Sequence, residues 1–323
     1  MDSRGPGRSC PVSYRYDASS FKKVSLNVET LWVAGGLYGN PFALERLLEL
    51  YDAEPGSKAL VFNGDFHWFD VDPAQFSAIQ ASVERFHAVR GNVETELAAP
   101  GEDAGCGCGY PEWVDDRTVA LSNRIIERLR STAQGFPHAL ASLAALPTHR
   151  MAEVGGRRVA VLHGDADSLA GWGFSQEALA TPAGLAAAMR SFERLGADVF
   201  ASSHTCLPVL QAFAGDRVLV NNGAAGMPNF HATSFGLASR ISVTPSKKAL
   251  YGAAAGGLFV EAIALPYDGA AWDKCFLAQW PQGSEAHESY YQRIAGGPRY
   301  DMNRALRDAL LPLQPAGSTR LAA

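Results

Sequence analysis

Four polar residues, each placed directly after a short apolar run, have side chains that could together bind a metal ion. They are Asp65 in Val-Phe-Asn-Gly-Asp, Asn92 in Val-Arg-Gly-Asn, His163 in Val-Leu-His-Gly-Asp and His204 in Ala-Ser-Ser-His-Thr. An apolar run that ends in small residues is typical of a strand that delivers a polar side chain to the edge of a sheet. Two imidazoles, a carboxylate and a carboxamide oxygen suit a divalent ion such as Zn, Fe or Mn. The sequence therefore predicts that these four side chains converge on one metal ion.

The elements that must position these residues alternate between strand and helix in the first part of the chain. Apolar runs predict strands at residues 31–36, 58–63 and 87–90. Helices are predicted to begin at Pro41 and Pro73, each preceded by a residue suited to a helix N-cap. A β-α-β-α-β beginning favours a largely parallel sheet.

The second half of the chain has a different pattern. Two helices are predicted near 116–130 and 136–145 and another over much of 175–195, and strands are predicted at 158–163, 197–202, 208–214, 217–221, 238–244 and 258–265. Strands that follow one another without helices favour a second, more antiparallel sheet packed on the first. We expect one domain over residues 1–323, with an irregular cysteine-containing insertion near 94–113 and a helical C-terminal extension near 285–323.

Composition excludes several classes of protein. The chain has 323 residues and a net charge of −5, which gives no electrostatic reason to expect a nucleic-acid partner. No apolar stretch approaches the roughly 18 residues of a membrane-spanning helix. The first residues lack the basic and apolar segments of a secretion signal. Five cysteines without a repeated spacing do not indicate a disulfide framework. We therefore expect a cytoplasmic protein that acts on a small molecule.

The order of these motifs resembles that of the calcineurin-like metallophosphoesterases, especially the small bacterial and archaeal phosphodiesterase branch. The resemblance covers residues 31–229. It implies an α+β fold, a four-layer αββα sandwich of two mixed sheets flanked by helices, with metal ions at the strand ends. Asp65 matches the bridging aspartate, Asn92 the asparagine of the Gly-Asn motif, and His163 and His204 the histidines of the later motifs. Together they resemble the complete ligand set of one of the family's two metals.

The ligands of the other metal are replaced. The family begins with Asp-x-His, where this chain has Gly36 and Tyr38, and it ends with Gly-His-x-His, where Cys206 stands in the second histidine position. Val93 stands where many members carry a histidine that helps to protonate the leaving group. A clamp of two metal ions therefore cannot be carried over from the family to this chain.

Cysteines could rebuild the second metal position. Cys206 stands at a ligand position, and Cys106 and Cys108 lie in a glycine-rich loop that leaves the same edge as Asn92. Soft thiolates favour Zn or Fe over Mg or Mn. The alternative is that the three cysteines are free and bind no metal.

Two functions follow from this reading of the sequence. The first is a metal-dependent hydrolase of phosphoesters, a phosphodiesterase or phosphatase, with one or two divalent ions and a metal-bound hydroxide as nucleophile. Its catalytic residues would be Asp65, Asn92, His163 and His204. The second is a catalytically silent member of the same fold that binds a metal or senses a ligand.

Overall fold

The computed structural model describes residues 5–9, 11–99 and 105–307. The strands in these ranges are β1 (Val24–Val28), β2 (Thr30–Ala34), β3 (Lys58–Asn63), β4 (His87–Val89), β5 (His149–Val154), β6 (Arg157–Leu162), β7 (Val199–Ser202), β8 (Val209–Phe213), β9 (Arg217–Asn221), β10 (Phe235–Ser242), β11 (Ala249–Ala255), β12 (Leu258–Pro266) and β13 (Leu306–Arg307). The helices are α1 (Pro41–Asp52), α2 (Pro73–Val83), α3 (Asn92–Ala98), α4 (Asp116–Ala133), α5 (Pro137–Ala145), α6 (Gln176–Leu179), α7 (Pro182–Leu195), α8 (Gly269–Gln279), α9 (Glu285–Gly296) and α10 (Met302–Ala305).

The strands form two mixed sheets. The first has the order β11-β12-β10-β2-β3-β4, and the second has the order β1-β5-β6-β7-β9-β8-β13. In the first sheet β2, β3 and β4 are parallel, whereas β10, β11 and β12 pair in antiparallel fashion. In the second sheet β6, β7 and β9 are parallel. The carboxyl ends of these two parallel sets carry the residues of interest.

The two sheets pack face to face, and helices cover their outer faces. Alternate residues of β2 show the arrangement, because side chains alternate between the two faces of a strand. Leu31 and Val33 belong to the apolar core between the sheets, whereas Trp32 and Ala34 pack in the core beneath the helices of the first sheet. Phe192 of α7 packs on the outer face of the second sheet. This four-layer arrangement confirms the predicted αββα fold.

Helix starts follow the predicted caps. The side chain of Asn40 accepts hydrogen bonds from the backbone of Phe42 and Ala43 before Pro41 begins α1. Asp72 caps α2 in the same way, with Pro73 as the first helical residue. A proline at this position loses no helical hydrogen bond, and its fixed φ suits the first turn.

Some of the sequence expectations needed correction. The strands β10 and β12 return to the first sheet instead of joining the second, together with β11, which was not predicted. The insertion predicted to be irregular near 94–113 begins as helix α3, and its residues 100–104 lie outside the described ranges. The C-terminal extension contains α9, α10 and the short strand β13, and residues 308–323 also lie outside the description. Whether the chain is a single domain stays a prediction. In the part of the chain that the structure describes, no helix is long and apolar enough to cross a membrane.

Candidate metal centre

The four predicted ligands lie at the carboxyl ends of four strands. Asp65 follows β3 by one glycine, and Asn92 is the first residue of α3, which begins shortly after β4. His163 directly follows β6, and His204 lies two residues after β7. Two of these strands belong to each sheet, so the packing of the sheets brings the four side chains to one edge of the sandwich.

The structure brings donor atoms from all four residues together. His163 Nε2 lies 3.3 Å from Asp65 Oδ2, 3.2 Å from Asn92 Oδ1 and 3.1 Å from His204 Nδ1. Ligand atoms of Asp65, His163 and His204 all lie within 4.8 Å of one another. All four side chains are buried. We refer to Asp65, Asn92, His163 and His204 as the ligand cluster.

Hydrogen bonds to backbone carbonyls orient these atoms. His163 Nδ1 lies 2.8 Å from the carbonyl oxygen of Asn63, and His204 Nε2 lies 2.9 Å from that of Cys108. A carbonyl only accepts, so in each neutral ring this nitrogen carries the proton and the other nitrogen presents a lone pair. Asn92 Nδ2 donates to the carbonyl oxygen of Cys106 at 2.9 Å, which turns Oδ1 toward His163. When both rings are neutral, the four atoms that face one another are therefore all acceptors.

A group of acceptors in mutual contact fits a cation. Lone pairs about 3 Å apart repel one another unless a positive charge lies between them. Ligand atoms at about 2.0–2.1 Å from an ion in tetrahedral geometry are about 3.3–3.4 Å apart. The three separations from His163 Nε2, 3.1–3.3 Å, are close to this value. The donor set, two imidazoles with a carboxylate and a carboxamide oxygen, thus fits a divalent ion in both chemistry and spacing.

The pKa values of the side chains in the ligand cluster reflect how close these side chains lie to one another. Burial opposes ionisation of Asp65, but the attraction of His163 outweighs it and lowers the pKa of this carboxyl. Burial opposes the charged form of His163, but the Asp65 carboxylate raises the pKa of the imidazole above its ordinary value. Burial and the neighbouring His163 lower the pKa of His204 to about 3. A cation that binds here therefore competes with a proton on His163.

A buried glutamate holds the turn that carries Asp65. Asp65 itself has a left-handed φ of 51°, which is uncommon for a residue other than glycine. The Glu94 carboxylate accepts hydrogen bonds from the backbone N–H groups of Asp65 at 2.8 Å, Phe66 at 3.0 Å and Gly91 at 2.8 Å. Sequence analysis missed this residue. Its signal was the position of Glu94 in the first turn of α3, where a glutamate can reach back to the N-cap backbone.

The residues that replace the other ligands contact one another. Tyr38 Oη lies 2.8 Å from Cys206 Sγ, and we call these two residues the Tyr38–Cys206 pair. Gly36 has a left-handed φ of 65°, and a Cβ atom on it would lie 2.9 Å from the Tyr38 ring. The ring of Tyr38 therefore occupies the space into which an aspartate at position 36 would project.

The cysteines do not assemble into a metal site in this structure. Cys106 and Cys108 are bonded to each other as a disulfide, so neither is available as a free thiolate. Burial raises the pKa of the Cys206 thiol above its ordinary value, which keeps it protonated. Within residues 5–9, 11–99 and 105–307, the only group of three or more His, Cys, Asp or Glu donors is Asp65, His163 and His204. The thiolate-rich site stays a prediction that this geometry does not support.

Two further histidines, His67 and His231, do not belong to the ligand cluster. His67 is fully buried, with Nδ1 2.6 Å from Asp70 and Nε2 3.0 Å from Gln80. His231 is exposed at the surface. Both nitrogens of His67 are thus occupied by protein partners away from the ligand cluster.

A small cavity of about 40 Å³ lies against the ligand cluster and the Tyr38–Cys206 pair. Because one water needs about 10–15 Å³ by this measure, the cavity has room for a few waters or one small group. Its remaining walls are mostly aromatic and come from Trp68, Tyr110, Trp172 and Tyr290. Among the described residues that line the cavity, none is a lysine or an arginine.

Comparison with known proteins indicates one superfamily. The calcineurin-like phosphoesterase superfamily domain matches residues 39–240. A metallophosphoesterase from Sphaerobacter thermophilus is similar in structure, with a TM-score of 0.54 and 16% sequence identity over 84% of this chain and 100% of the other. A hypothetical protein from Pyrococcus horikoshii OT3 has a TM-score of 0.56 and 16% identity over 84% of this chain and 99% of the other. At this identity the likeness is one of fold. No curated protein matches the chain.

Proposed function

Because this chain belongs to the calcineurin-like phosphoesterase superfamily, we propose that it is a metal-dependent hydrolase of phosphoesters that acts at the ligand cluster. One observation carries the proposal. Four acceptor atoms from Asp65, Asn92, His163 and His204 face one another, while the N–H groups of the last three are bonded to backbone carbonyls. Such an arrangement favours the binding of a cation between the acceptor atoms.

The chain's own residues would hold and orient the ion. Asp65 would supply the only carboxylate, Asn92 an amide oxygen, and His163 and His204 one imidazole nitrogen each. A divalent ion held there would lower the pKa of a water molecule and polarise a phosphoryl oxygen. The carbonyls of Asn63 and Cys108 keep the two imidazoles in the tautomers that ligation needs. The aromatic walls of the cavity limit the entry of further water.

We propose a singly charged phosphodiester as the substrate class. A divalent ion beside the ligating carboxylate of Asp65 and the nearby buried carboxylate of Glu94 would leave little net positive charge at the centre. No lysine or arginine is found among the described residues of the cavity wall to add to it. A phosphodiester with one negative charge matches this better than a phosphomonoester with about two at neutral pH. The size of the cavity favours a small phosphoryl group with the rest of the ester outside it.

The Tyr38–Cys206 pair favours a second candidate function, in which the chain binds a metal or a small ligand without catalysis. The pair fills the half of the centre where the family holds its other ion, and the cavity beside it is small. This candidate predicts retention of the metal without turnover.

The test is hydrolysis of two matched aryl phosphates by protein loaded with Mn or Zn. We expect metal-dependent cleavage of bis(4-nitrophenyl) phosphate and slower cleavage of 4-nitrophenyl phosphate. His204→Ala should lose both the bound ion and the activity, whereas His138→Ala, at an exposed position, should lose neither. Full metal loading without cleavage of either ester would exclude the hydrolase for these classes and favour the silent candidate.

A further inference from the structure

The loop that contains Cys106 and Cys108 holds two of the four metal ligands. The carbonyl of Cys106 accepts from Asn92 Nδ2 at 2.9 Å, and the carbonyl of Cys108 lies 2.9 Å from His204 Nε2. These bonds decide which atom of each ligand faces the centre. The same two residues are joined by a disulfide. The covalent state of the loop is therefore linked to the orientation of Asn92 and His204.

We propose that thiol–disulfide exchange at Cys106–Cys108 controls how tightly the ligand cluster holds its metal ion. The two cysteines act as positioning residues in this account, through their carbonyls. The proposal rests on the metal centre of the proposed function but requires no hydrolysis.

The bridge constrains the segment that presents both carbonyls. Only Gly107 separates the two cysteines, and it adopts a left-handed φ of 67°. A glycine is free to leave this conformation when the ring that encloses it is opened. The ends of the loop have their own anchors, since Asn123 Oδ1 accepts from Cys106 N at 3.0 Å and Trp172 Nε1 donates to Cys108 O at 3.0 Å. The opened loop would thus stay in place while its inner peptide groups gain freedom.

The cavity provides a route to one of the sulfurs. Cys108 lines the cavity, whereas Cys106 is completely buried. A dithiol reductant would attack Cys108 Sγ with its thiolate, break the S–S bond and release Cys106 as a thiol. Its second thiol would then displace Cys108 from the mixed disulfide. The products are two cysteine thiols and the oxidised, cyclic form of the reductant, so electrons and protons balance.

Loss of the bridge should weaken the binding of the metal ion and leave the fold intact. Some groups form a hydrogen bond to the second polar atom of a metal ligand. Removal of such a group typically lowers the metal affinity by about 10- to 100-fold. Here the Cys106 carbonyl that orients Asn92 lies within the ring that reduction opens, whereas the Cys108 carbonyl also accepts from Trp172. We therefore expect reduction to weaken metal binding by at least about tenfold.

The experiment measures the affinity for Mn²⁺, which binds thiols weakly, from the electron paramagnetic resonance signal of the free ion. The oxidised protein is compared with protein treated with dithiothreitol and desalted without oxygen. Titration of denatured samples should find two more thiols after reduction. The affinity should fall by about 10- to 100-fold and recover when the bridge is reoxidised.

Two variants provide the controls. Cys106→Ser/Cys108→Ser should show the weak affinity permanently and not respond to dithiothreitol. Cys275→Ser, which removes a free cysteine elsewhere, should respond as the wild type does. Equal affinities before and after a confirmed gain of two thiols would overturn the proposal, as would a failure to gain them. Tighter binding or a second ion after reduction would also overturn it and would indicate thiolate ligation. Because the readout is affinity, it stands even if no phosphoester is cleaved.

Discussion

The ligand cluster and the Tyr38–Cys206 pair are neighbours at the same strand ends, but their hydrogen bonding is opposite. In the cluster, acceptor atoms of Asp65, Asn92 and His204 lie 3.1–3.3 Å from His163 Nε2. In the pair, a hydroxyl and a thiol contact at 2.8 Å, and each can donate to or accept from the other. The cluster presents acceptors to a cation, whereas the hydrogen bonds of the pair are complete without one. This difference supports the proposal of a single ion at the centre.

The replaced positions are also consistent with one another. The Tyr38 ring fills the space beside Gly36, so any side chain at position 36 would collide with it. Cys206 Sγ lies 3.2 Å from the carbonyl of His204, and a thiol proton directed there leaves the sulfur to accept from Tyr38. These residues thus form one packed, hydrogen-bonded arrangement.

The largest effect should come from His163→Ala. This imidazole contacts all three other members of the cluster. Since the loss of a group that only holds a ligand costs about 10- to 100-fold in metal affinity, the loss of this ligand should cost at least about 100-fold. Metal content after dialysis and hydrolysis should both fall to background. Retention of a full equivalent of metal would show that the cluster is not the binding site.

Acid should release the ion by protonating His163. The neighbouring carboxylate of Asp65 overcomes the effect of burial and raises the pKa of His163, whereas the pKa of His204 is lowered to about 3. His163 must lose its proton to bind metal, so below its raised pKa the affinity should fall about tenfold per pH unit. Calorimetry in buffers of different ionisation enthalpy should detect about one proton released per ion. Affinity that does not change between pH 5 and pH 8 would contradict this assignment.

A triple substitution should create a second metal site in the space that the Tyr38–Cys206 pair now fills. Gly36→Asp/Tyr38→His/Cys206→His restores the family's ligand types, and removal of the Tyr38 ring leaves only the left-handed φ of 65° at position 36 as strain for the aspartate. We expect metal content to rise from about one to about two per chain. The single change Gly36→Asp is the control, because its side chain meets the Tyr38 ring and should destabilise the protein without adding an ion. A folded triple variant that still binds one ion would show that residues other than these three also prevent a second ion from binding.

A smaller effect is expected from Glu94→Gln. An amide oxygen accepts less strongly than a carboxylate from the three backbone N–H groups that hold the Asp65 turn. The cost should be about 1–3 kcal/mol of stability, together with weaker metal binding, measured by denaturant unfolding with and without metal. Glu45→Gln, at an exposed position, should change neither. A variant as stable as the wild type would mean that the Asp65 turn does not depend on the negative charge of Glu94.

The smallest effect should come from Tyr38→Phe. It removes one hydrogen bond to a thiol and keeps the ring that fills the space beside Gly36, so stability should fall by about 1 kcal/mol or less. Metal affinity should stay within about twofold, because the hydroxyl is not part of the ligand cluster. A loss of metal affinity above tenfold would show that the pair takes part in binding the ion.

The sequence was informative where a polar, metal-binding type of side chain follows directly after a strand. Asp65, Asn92, His163 and His204 each come within a few residues of an apolar run, so their convergence could be predicted from local pattern. The role of Glu94 could not, because it depends on a turn nearly thirty residues earlier in the chain. The Cys106–Cys108 bridge was also missed, since Cys-x-Cys spacing alone does not distinguish a disulfide from two thiols or two ligands.

For the fold, strong periodicity was recognised and weak periodicity was not. The helices α1 and α4 and the strands β3 and β9 were predicted close to their observed bounds. The alanine-rich β11 carries little of the β-branched pattern that marks a strand, and it was missed. The half-exposed β1 does alternate apolar and polar residues, but it was also overlooked. The return of β10 to pair with β2 is a contact between residues some 200 positions apart, and no local signal specifies it.

The central claim is that the ligand cluster holds one divalent ion and the Tyr38–Cys206 pair holds none. Its most direct test is elemental analysis of the purified wild-type protein after metal loading and exhaustive dialysis, with the ion counted per chain. The account predicts a value close to one that falls to background in His163→Ala. A value close to two would contradict it by requiring a second site, and a value near zero would show that the four facing acceptors do not bind a metal.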